Sequence, residues 1–429
     1  MDERRDAWTL LYALVFALTF VGYPTLSSVL GAFDAYARIF SIVYRALLLL
    51  SVMLLIRYAV YRIPAKDWQG PVVVAFVALW VMMIARFAWD SSFVPIPLPL
   101  QWLEQLIMMV GVVLIPTIAV FHAPSEKAFD IARRILLVGG VISGIFLVIA
   151  EIRTVIETGE ISALRRVGTD ALNPVMLGHI GTIVVIVSLL GPPLQGAKAI
   201  VARVVDSLFV RVTAGAIGGF LAVAAASKGP LLALFAVVVV SQVVRVSRAP
   251  TAAAVLAAIT RLALLVAALA ALGIFLALFA GVTVIDRFAE FGTDYSANER
   301  LLIWTRAIQE FESSPWIGAS FVEIKERFYP HNLILEVLMA TGIAGFCALC
   351  VVLGASAIAA FRVLFTRHTW VALLFVQVFI GTMLSGSVYF SEGFWVALAG
   401  VLALDRLLAR QAQRIPESSA APLAHAGGA

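Results

Sequence analysis

Runs of apolar residues long enough to cross a bilayer recur along the whole of this chain, and they fix the class of fold before any motif is read. About 30 Å of hydrocarbon takes roughly 20 helical residues. Inside it every backbone N–H and C=O must be satisfied by the protein, so spanning segments are helices or strands of a closed barrel. The runs here are continuous, without the period-two alternation of barrel strands, which excludes the barrel. Hydrophobic residues make up 62% of the 429 and charged residues 13%, against roughly 25% charged in soluble proteins. The expectation is an all-α polytopic membrane protein.

About twelve spans are expected, near 8–30, 39–57, 71–89, 100–121, 135–151, 174–191, 209–226, 230–244, 262–285, 332–361, 370–388 and 391–408. The seventh and eighth are separated by a tight turn at Ser227-Lys228-Gly229-Pro230. No small-x-small cleavage site follows the first run, so the first helix is expected to be retained. The chain divides into membrane helices over 1–285, an outer loop over 286–330, three more membrane helices over 331–410, and an Ala-, Pro- and Ser-rich tail over 411–429 expected to be disordered. Cys347 and Cys350 fall inside a span and read as packing residues, not as a disulfide or metal site.

Basic residues set the orientation. With the N-terminus in the cytoplasm and alternating spans, about nineteen Lys and Arg lie on the cytoplasmic side and about ten on the outer side. Both termini are then cytoplasmic and the outer face is periplasmic. The outer cations gather at Arg165-Arg166, at Lys228 and along 287–327, while Arg45 and Arg86 fall in the outer halves of their helices. Such a set suits an anionic ligand such as a phosphate or pyrophosphate. The alternative is pairing with nearby Glu299, Glu310, Glu323 and Glu326.

The outer loop carries Ser296-Ala297-Asn298-Glu299, a capping-box pattern. The helix it would open places Leu301, Trp304, Ile308 and Phe311 on one stripe, with Arg300 and Glu310 off its centre, and Pro315 ends it. It reads as a short amphipathic helix at the membrane interface. Next comes Pro330-His331-Asn332. His331 opens a span, and a helix start favours the neutral imidazole that a general base needs. Asn332 and Glu336 share a helical face. Among the other histidines, His179 reads as a packed, hydrogen-bonded core residue, His122 and His368 fall in loops, and His425 is in the tail.

These motifs together resemble the O-antigen ligase and O-antigen polymerase superfamily of bacterial envelope glycosyltransferases. The resemblance rests on His331-Asn332, nine residues and Gly342-Ile343-Ala344-Gly345; on Arg300, Trp304 and Pro315-Trp316-Ile317-Gly318; on Ser227-Lys228-Gly229; and on Arg166, Gly168 and Asn173-Pro174. One departure is Lys228, where the family has arginine, so a bidentate fork becomes a point charge. The resemblance implies a GT-C-like membrane glycosyltransferase of lipopolysaccharide biosynthesis in the inner membrane, with no metal and no other cofactor. It would take a glycan from undecaprenyl pyrophosphate at the periplasmic face. The acceptor would be lipid A–core in a ligase, or a second lipid-linked glycan in a polymerase. His331 would be the base, Arg300, Arg166, Arg165 and Lys228 would hold the pyrophosphate, and Asn332 and Glu336 would orient the histidine or the acceptor. A secondary transporter or lipid-glycan flippase stays open as a different class, though no internal repeat supports it.

Overall fold

A computed structural model describes residues 2–33, 37–62, 70–94, 101–159, 173–191, 200–249, 251–280 and 295–419. Arg165, Arg166, Gly168, Arg287 and His425 lie outside the described residues. Fourteen helical segments follow one another among those described: α1 (Asp2–Ala32), α2 (Ala37–Arg62), α3 (Pro71–Phe93), α4 (Trp102–Val120), α5 (Glu126–Thr158), α6 (Pro174–Leu190), a short α7 (Ile200–Val205), α8 (Leu208–Ala224), α9 (Lys228–Ser247), α10 (Ala252–Ala280), α11 (Tyr295–Ser313), α12 (Leu333–Leu364), α13 (Thr369–Ser385) and α14 (Glu392–Ser419). A helix stands at every expected span. Seven are long and apolar enough to cross a membrane, and α6, α8 and α13 are shorter apolar helices. The protein is therefore an all-helical, multi-pass membrane protein. Its only β feature among the described residues is an isolated bridge between Glu323 and Phe328.

Local chemistry sets the helix starts. Pro71 and Pro174 occupy first-turn positions where a missing N–H costs nothing. Asn173 caps α6 by accepting from Met176 N at 2.9 Å. The 225–227 turn between α8 and α9 is shorter than the sequence suggests, because Lys228, Gly229 and Pro230 already form the first turn of α9. The helix α14 continues through Gln411 to Ser419, and the rest of the expected tail lies outside the described residues. The helix α11 starts at Tyr295, so Ser296 falls inside its first turn.

Packing proceeds in pairs: α1 on α5, α6 on α8, α3 on α12 and α9 on α13, with α12, α13 and α14 in mutual contact. Rings fill the core, where Phe16 meets Phe129 and Trp370 edge-on, and Trp395 meets Phe76 and Trp80. The outside stays apolar. Phe209, Leu256, Phe275 and Phe361 are among many large exposed hydrophobics, and α10 is almost wholly exposed. Apolar surface on that scale requires lipid around it.

The ends of the bundle differ. At one end Arg362–Asp405, Arg367–Glu126 and Arg134–Asp206 ion pairs gather, with Lys127–Asp6 beside them. His368 sits there, fully buried, 2.8 Å from Glu126. The other end carries α11, the 314–332 segment and the α13–α14 connection, and is called the site end below.

The helix α12 is broken. At Gly342 the backbone leaves helical geometry (φ 63°, ψ −159°). The freed groups turn to the 315–319 strap: Ile343 N donates to Pro315 O at 2.8 Å, and Ala319 N donates to Met339 O at 2.9 Å. Gly318 lies against the same break with φ +75°. A Cβ on Gly342 would lie 2.4 Å from Trp316 C, and one on Gly318 2.3 Å from Ala340 C. Glycine is needed at both for space and for φ. The Pro-x-x-Gly and Gly-x-x-Gly motifs are thus two halves of one backbone joint.

Arg86 of α3 closes that joint. Its guanidinium donates to Ala340 O (3.1 Å), Ala319 O (3.3 Å), Ile317 O (2.9 Å) and Gly318 O (2.6 Å). Asp90, one turn on, lies 3.6 Å from Arg86 and accepts from Phe321 N at 2.6 Å. Arg86 is therefore a structural clamp, not part of an anion site. Removing a partner from a buried carbonyl costs about 1–3 kcal/mol. Arg86→Lys is expected to lower the melting temperature nearly as much as Arg86→Ala, because an ammonium cannot span the fork's acceptors. Gly342→Ala should be worse than either. Thermal denaturation of purified protein measures all three, and a Gly342→Ala protein melting like the parent would contradict the joint.

Candidate functional site

The candidate site forms where α12 begins. Asn332 caps it: the side-chain oxygen accepts from Ile334 N (3.1 Å) and Leu335 N (3.2 Å). The amide nitrogen donates to Met383 O at 3.3 Å. One turn later Glu336, fully buried, accepts from Ser387 Oγ (2.8 Å) and Val388 N (3.0 Å). Before them His331 meets Ser385 O through Nδ1 at 3.3 Å. Three motif residues thus fasten the start of α12 to the end of α13 and to the loop after it. Asn332 and Glu336 do share a face, as their spacing requires, but that face binds protein.

His331 is held in an unusual state. It has φ +55°, which a side-chain-bearing residue rarely adopts. Such strain costs about 1–3 kcal/mol and persists where the surroundings over-determine it. Here Trp304 Nε1 donates to Pro330 O at 2.6 Å, tying α11 to the turn. Rings enclose the imidazole: Tyr329 lies edge-on at 4.6 Å and Phe328 at 5.3 Å. Burial lowers the His331 pKa, the bond to Ser385 opposes that, and the charge of Arg300 lowers it further. A carbonyl oxygen only accepts, so Nδ1 carries the proton and the Nε2 lone pair is left for another partner. No described residue hydrogen-bonds Nε2. A neutral imidazole with its outer nitrogen available is the form a general base needs.

Arg300 lies within electrostatic reach of His331 and of Tyr329. No hydrogen bond or ion pair engages it among the described residues. It belongs to the inward face of α11, with Trp304, Ala307, Glu310 and Phe311, while Leu301 and Ile308 are exposed. The expected stripe is thus rotated, and Arg300 and Glu310 lie on the packed side. Pairing accounts for only part of the outer charge. Arg306 pairs with Glu326. Glu310 accepts from Ser320 Oγ and from Ile324 N at 2.8 Å, and burial raises its pKa. Glu323 accepts from Lys325 N and Glu326 N. These two carboxylates brace the 320–328 hairpin.

Lys228 is half-buried at the start of α9. A side chain at neighbouring Gly229 would touch Leu384 and Ser385, so this helix start and His331 flank the same end of α13. His331, Arg300, Asn332, Glu336 and Lys228 are therefore gathered around one end of the bundle. Arg45 stands apart from His331: it lies over the Tyr23 ring at 5.5 Å, within electrostatic reach of Glu392 at the start of α14. Cys347 and Cys350 are exposed free thiols on α12. No group of three metal-ligating side chains occurs among the described residues.

Sequence reasoning missed several contributors. Ser385 and Ser387 give no sequence signal, since each acts through a contact made across the fold. Asp90 did carry one, an acid at i, i+4 from Arg86 inside an apolar run, and Arg86 was read only as a cation.

Fold and site together define a polytopic membrane protein with a histidine poised at one end. Residues 213–350 match the family model described as O-antigen ligase. That match supports the O-antigen ligase and polymerase superfamily which the motifs resemble. The matched segment contains Lys228, Arg300, His331, Asn332 and Glu336, and Arg165 and Arg166 precede it. No curated protein and no solved structure matches the chain significantly.

The two roles open to Asn332 separate by substitution. Asn332→Ala should cost about 0.5–2 kcal/mol of stability through the lost cap. Asn332→Ser keeps a capping oxygen without setting a charge against Met383 O and should restore most of it. Denaturation midpoints of the two purified variants measure this, and equal loss in both would show that the cap is not what Asn332 supplies.

Proposed function

We propose that the protein is an O-antigen ligase-like glycosyltransferase that moves a glycan from undecaprenyl pyrophosphate to a hydroxyl of lipid A–core or a related acceptor. His331 Nε2 takes the acceptor hydroxyl proton as the oxygen attacks the anomeric carbon. The bond to pyrophosphate breaks on the opposite face, so the configuration inverts. Arg300 offsets the charge that develops on the departing pyrophosphate, with Lys228, Arg166 and Arg165 as its further ligands. Glu336 and Asn332 act by holding the loop and helix start against which the histidine is set. The reaction belongs at the periplasmic face of the inner membrane, in a GT-C-like bundle of twelve spans with both termini cytoplasmic, and needs no metal in this reading. The observation that carries it is the His331–Ser385 bond, which leaves Nε2 unprotonated beside an uncommitted arginine.

The family match supports ligase and polymerase alike. An O-antigen or exopolysaccharide polymerase would join two lipid-linked glycans with the same residues. A deletion strain decides: uncapped core with polymer left on its lipid carrier means a ligase, and core bearing one repeat means a polymerase. Uptake or flipping by purified protein without glycan transfer would support the transporter reading instead.

His331→Ala is expected to lose roughly 10²–10⁴ in transfer rate with expression intact; near-parental transfer would refute the base. Arg300→Lys should lose more than a charge-only change, and silence in both Arg300→Lys and Arg300→Ala would remove Arg300 from the pyrophosphate site. The pH–rate profile should rise with pH as the imidazole deprotonates. Its midpoint should lie below the ordinary histidine value of about 6.5. Loss of the neighbouring cation in Arg300→Ala should shift that midpoint upward. An unshifted midpoint in a variant that still turns over would exclude the coupling.

A further inference from the structure

A cavity of about 340 Å³ opens between α1, α6, α13 and α14, next to the site but not lined by His331, Arg300 or Lys228. Its size falls within the ~300–1,000 Å³ of small-molecule sites. Along α6 it runs from Asn173 to Ile183, about 15 Å into the bundle at 1.5 Å per residue. Tyr329 and Ser385 form its border with the His331 turn.

The lining separates it from three grooves elsewhere on the bundle. The grooves between α5 and α8 and among α8, α9 and α10 are walled by aliphatic and Phe side chains, apart from Glu151. Those suit lipid chains. This cavity combines ring faces of Phe20, Tyr23, Tyr329 and Phe390 with the hydroxyls of Thr19 and Ser391. Among the described residues no Lys or Arg lines it and Glu392 does, with Arg45 set behind the Tyr23 ring, so the wall offers an anion such as pyrophosphate no direct partner. Ring faces interleaved with hydroxyls suit an uncharged ligand that is apolar on its faces and polar around its rim, and a sugar ring has that character.

One polar device looks built for such a ligand. Gln377 Nε2 lies 2.7 Å from His179 Nδ1. The ring edge passes over Gly381, where a Cβ would lie 2.7 Å from Cε1 and 2.9 Å from Nε2. With Nδ1 taken by the amide, Nε2 is the nitrogen left to the cavity, and no described residue bonds it. Gln377 Oε1 is buried and has no partner among the described residues. Turning the amide over would exchange which atom is left and reverse the tautomer, but Nε2 would stay available. His179 is hydrogen-bonded, as its position in a span suggests, yet it faces a cavity instead of packed core.

We propose that this cavity is a subsite for an uncharged sugar ring, with His179 Nε2 hydrogen-bonding a sugar hydroxyl and Gln377 as the positioning residue that fixes the imidazole. The inference rests on the glycosyltransferase reading for the sugar's role, but not for its binding. Saturation-transfer NMR on the full-length protein in lipid nanodiscs tests it, with methyl glucoside, methyl galactoside, methyl mannoside and N-acetylglucosamine as probes. At least one should receive saturation. His179→Leu and Gly381→Ala, each checked for an unchanged melting profile, should weaken that binding tenfold or more, and His331→Ala should leave it intact. Sugar binding unaffected by either cavity variant, displacement of the sugar by inorganic pyrophosphate, or no saturation of any probe would overturn it. Transfer lost in His331→Ala but normal in both cavity variants overturns the subsite alone. Transfer intact in His331→Ala overturns the mechanism alone.

Discussion

The break in α12 at Gly342 is the constraint on which the site end depends. A continuous helix there would satisfy its own backbone and leave nothing for the 315–319 strap to bind. Because the chain turns through φ 63° instead, backbone groups on either side become free and the strap supplies their partners. The approach is backbone to backbone, which only glycine permits at both contact points. Arg86 then gathers four carbonyls that the joint leaves facing α3. A partly buried guanidinium, with five donors in a planar fork, is one of the few side chains able to serve several such carbonyls at once.

From that joint the rest of the site follows mechanically. The strap fixes the C-terminal end of α11, and α11 carries Trp304 to Pro330 O. The turn at 330–332 is thereby held from one side by α11 and from the other by the end of α13. His331 can persist at a strained φ only because both restraints act together. Glu336 completes the arrangement by fixing the loop after α13. The motif residues therefore divide by role. His331 and Arg300 keep groups that no described residue engages, whereas Asn332 and Glu336 are committed to protein partners.

The opposite end is richer in ion pairs than the site end, where Arg306–Glu326 is the close pair among the described residues. At that opposite end, guanidinium groups are matched by carboxylates in ion pairs across α5, α12, α13 and α14. At the site end the carboxylates Glu310, Glu323 and Glu336 accept from backbone and hydroxyl donors. Arg300 is left without such a partner among the described residues. A cation without a carboxylate partner is what a phosphate-bearing substrate would complete.

The sequence alone determined the fold class and the helix positions, because bilayer thickness and backbone satisfaction leave few options for long apolar runs. It also singled out His331, Asn332 and Glu336 at the start of α12, since a histidine, an asparagine and an acid at helical spacing stand out in an apolar chain. Only the tertiary structure decided what each of them does. The face of α11 that turns inward depends on what it packs against, so exposed Leu301 and packed Arg300 exchange the places that periodicity gives them. Arg86 reads as a cation for an anionic ligand until the carbonyls it clamps, more than two hundred positions away in the chain, are brought beside it. Hydrogen bonds form between groups close in space, and separation along the chain carries no information about that closeness until the helices have packed.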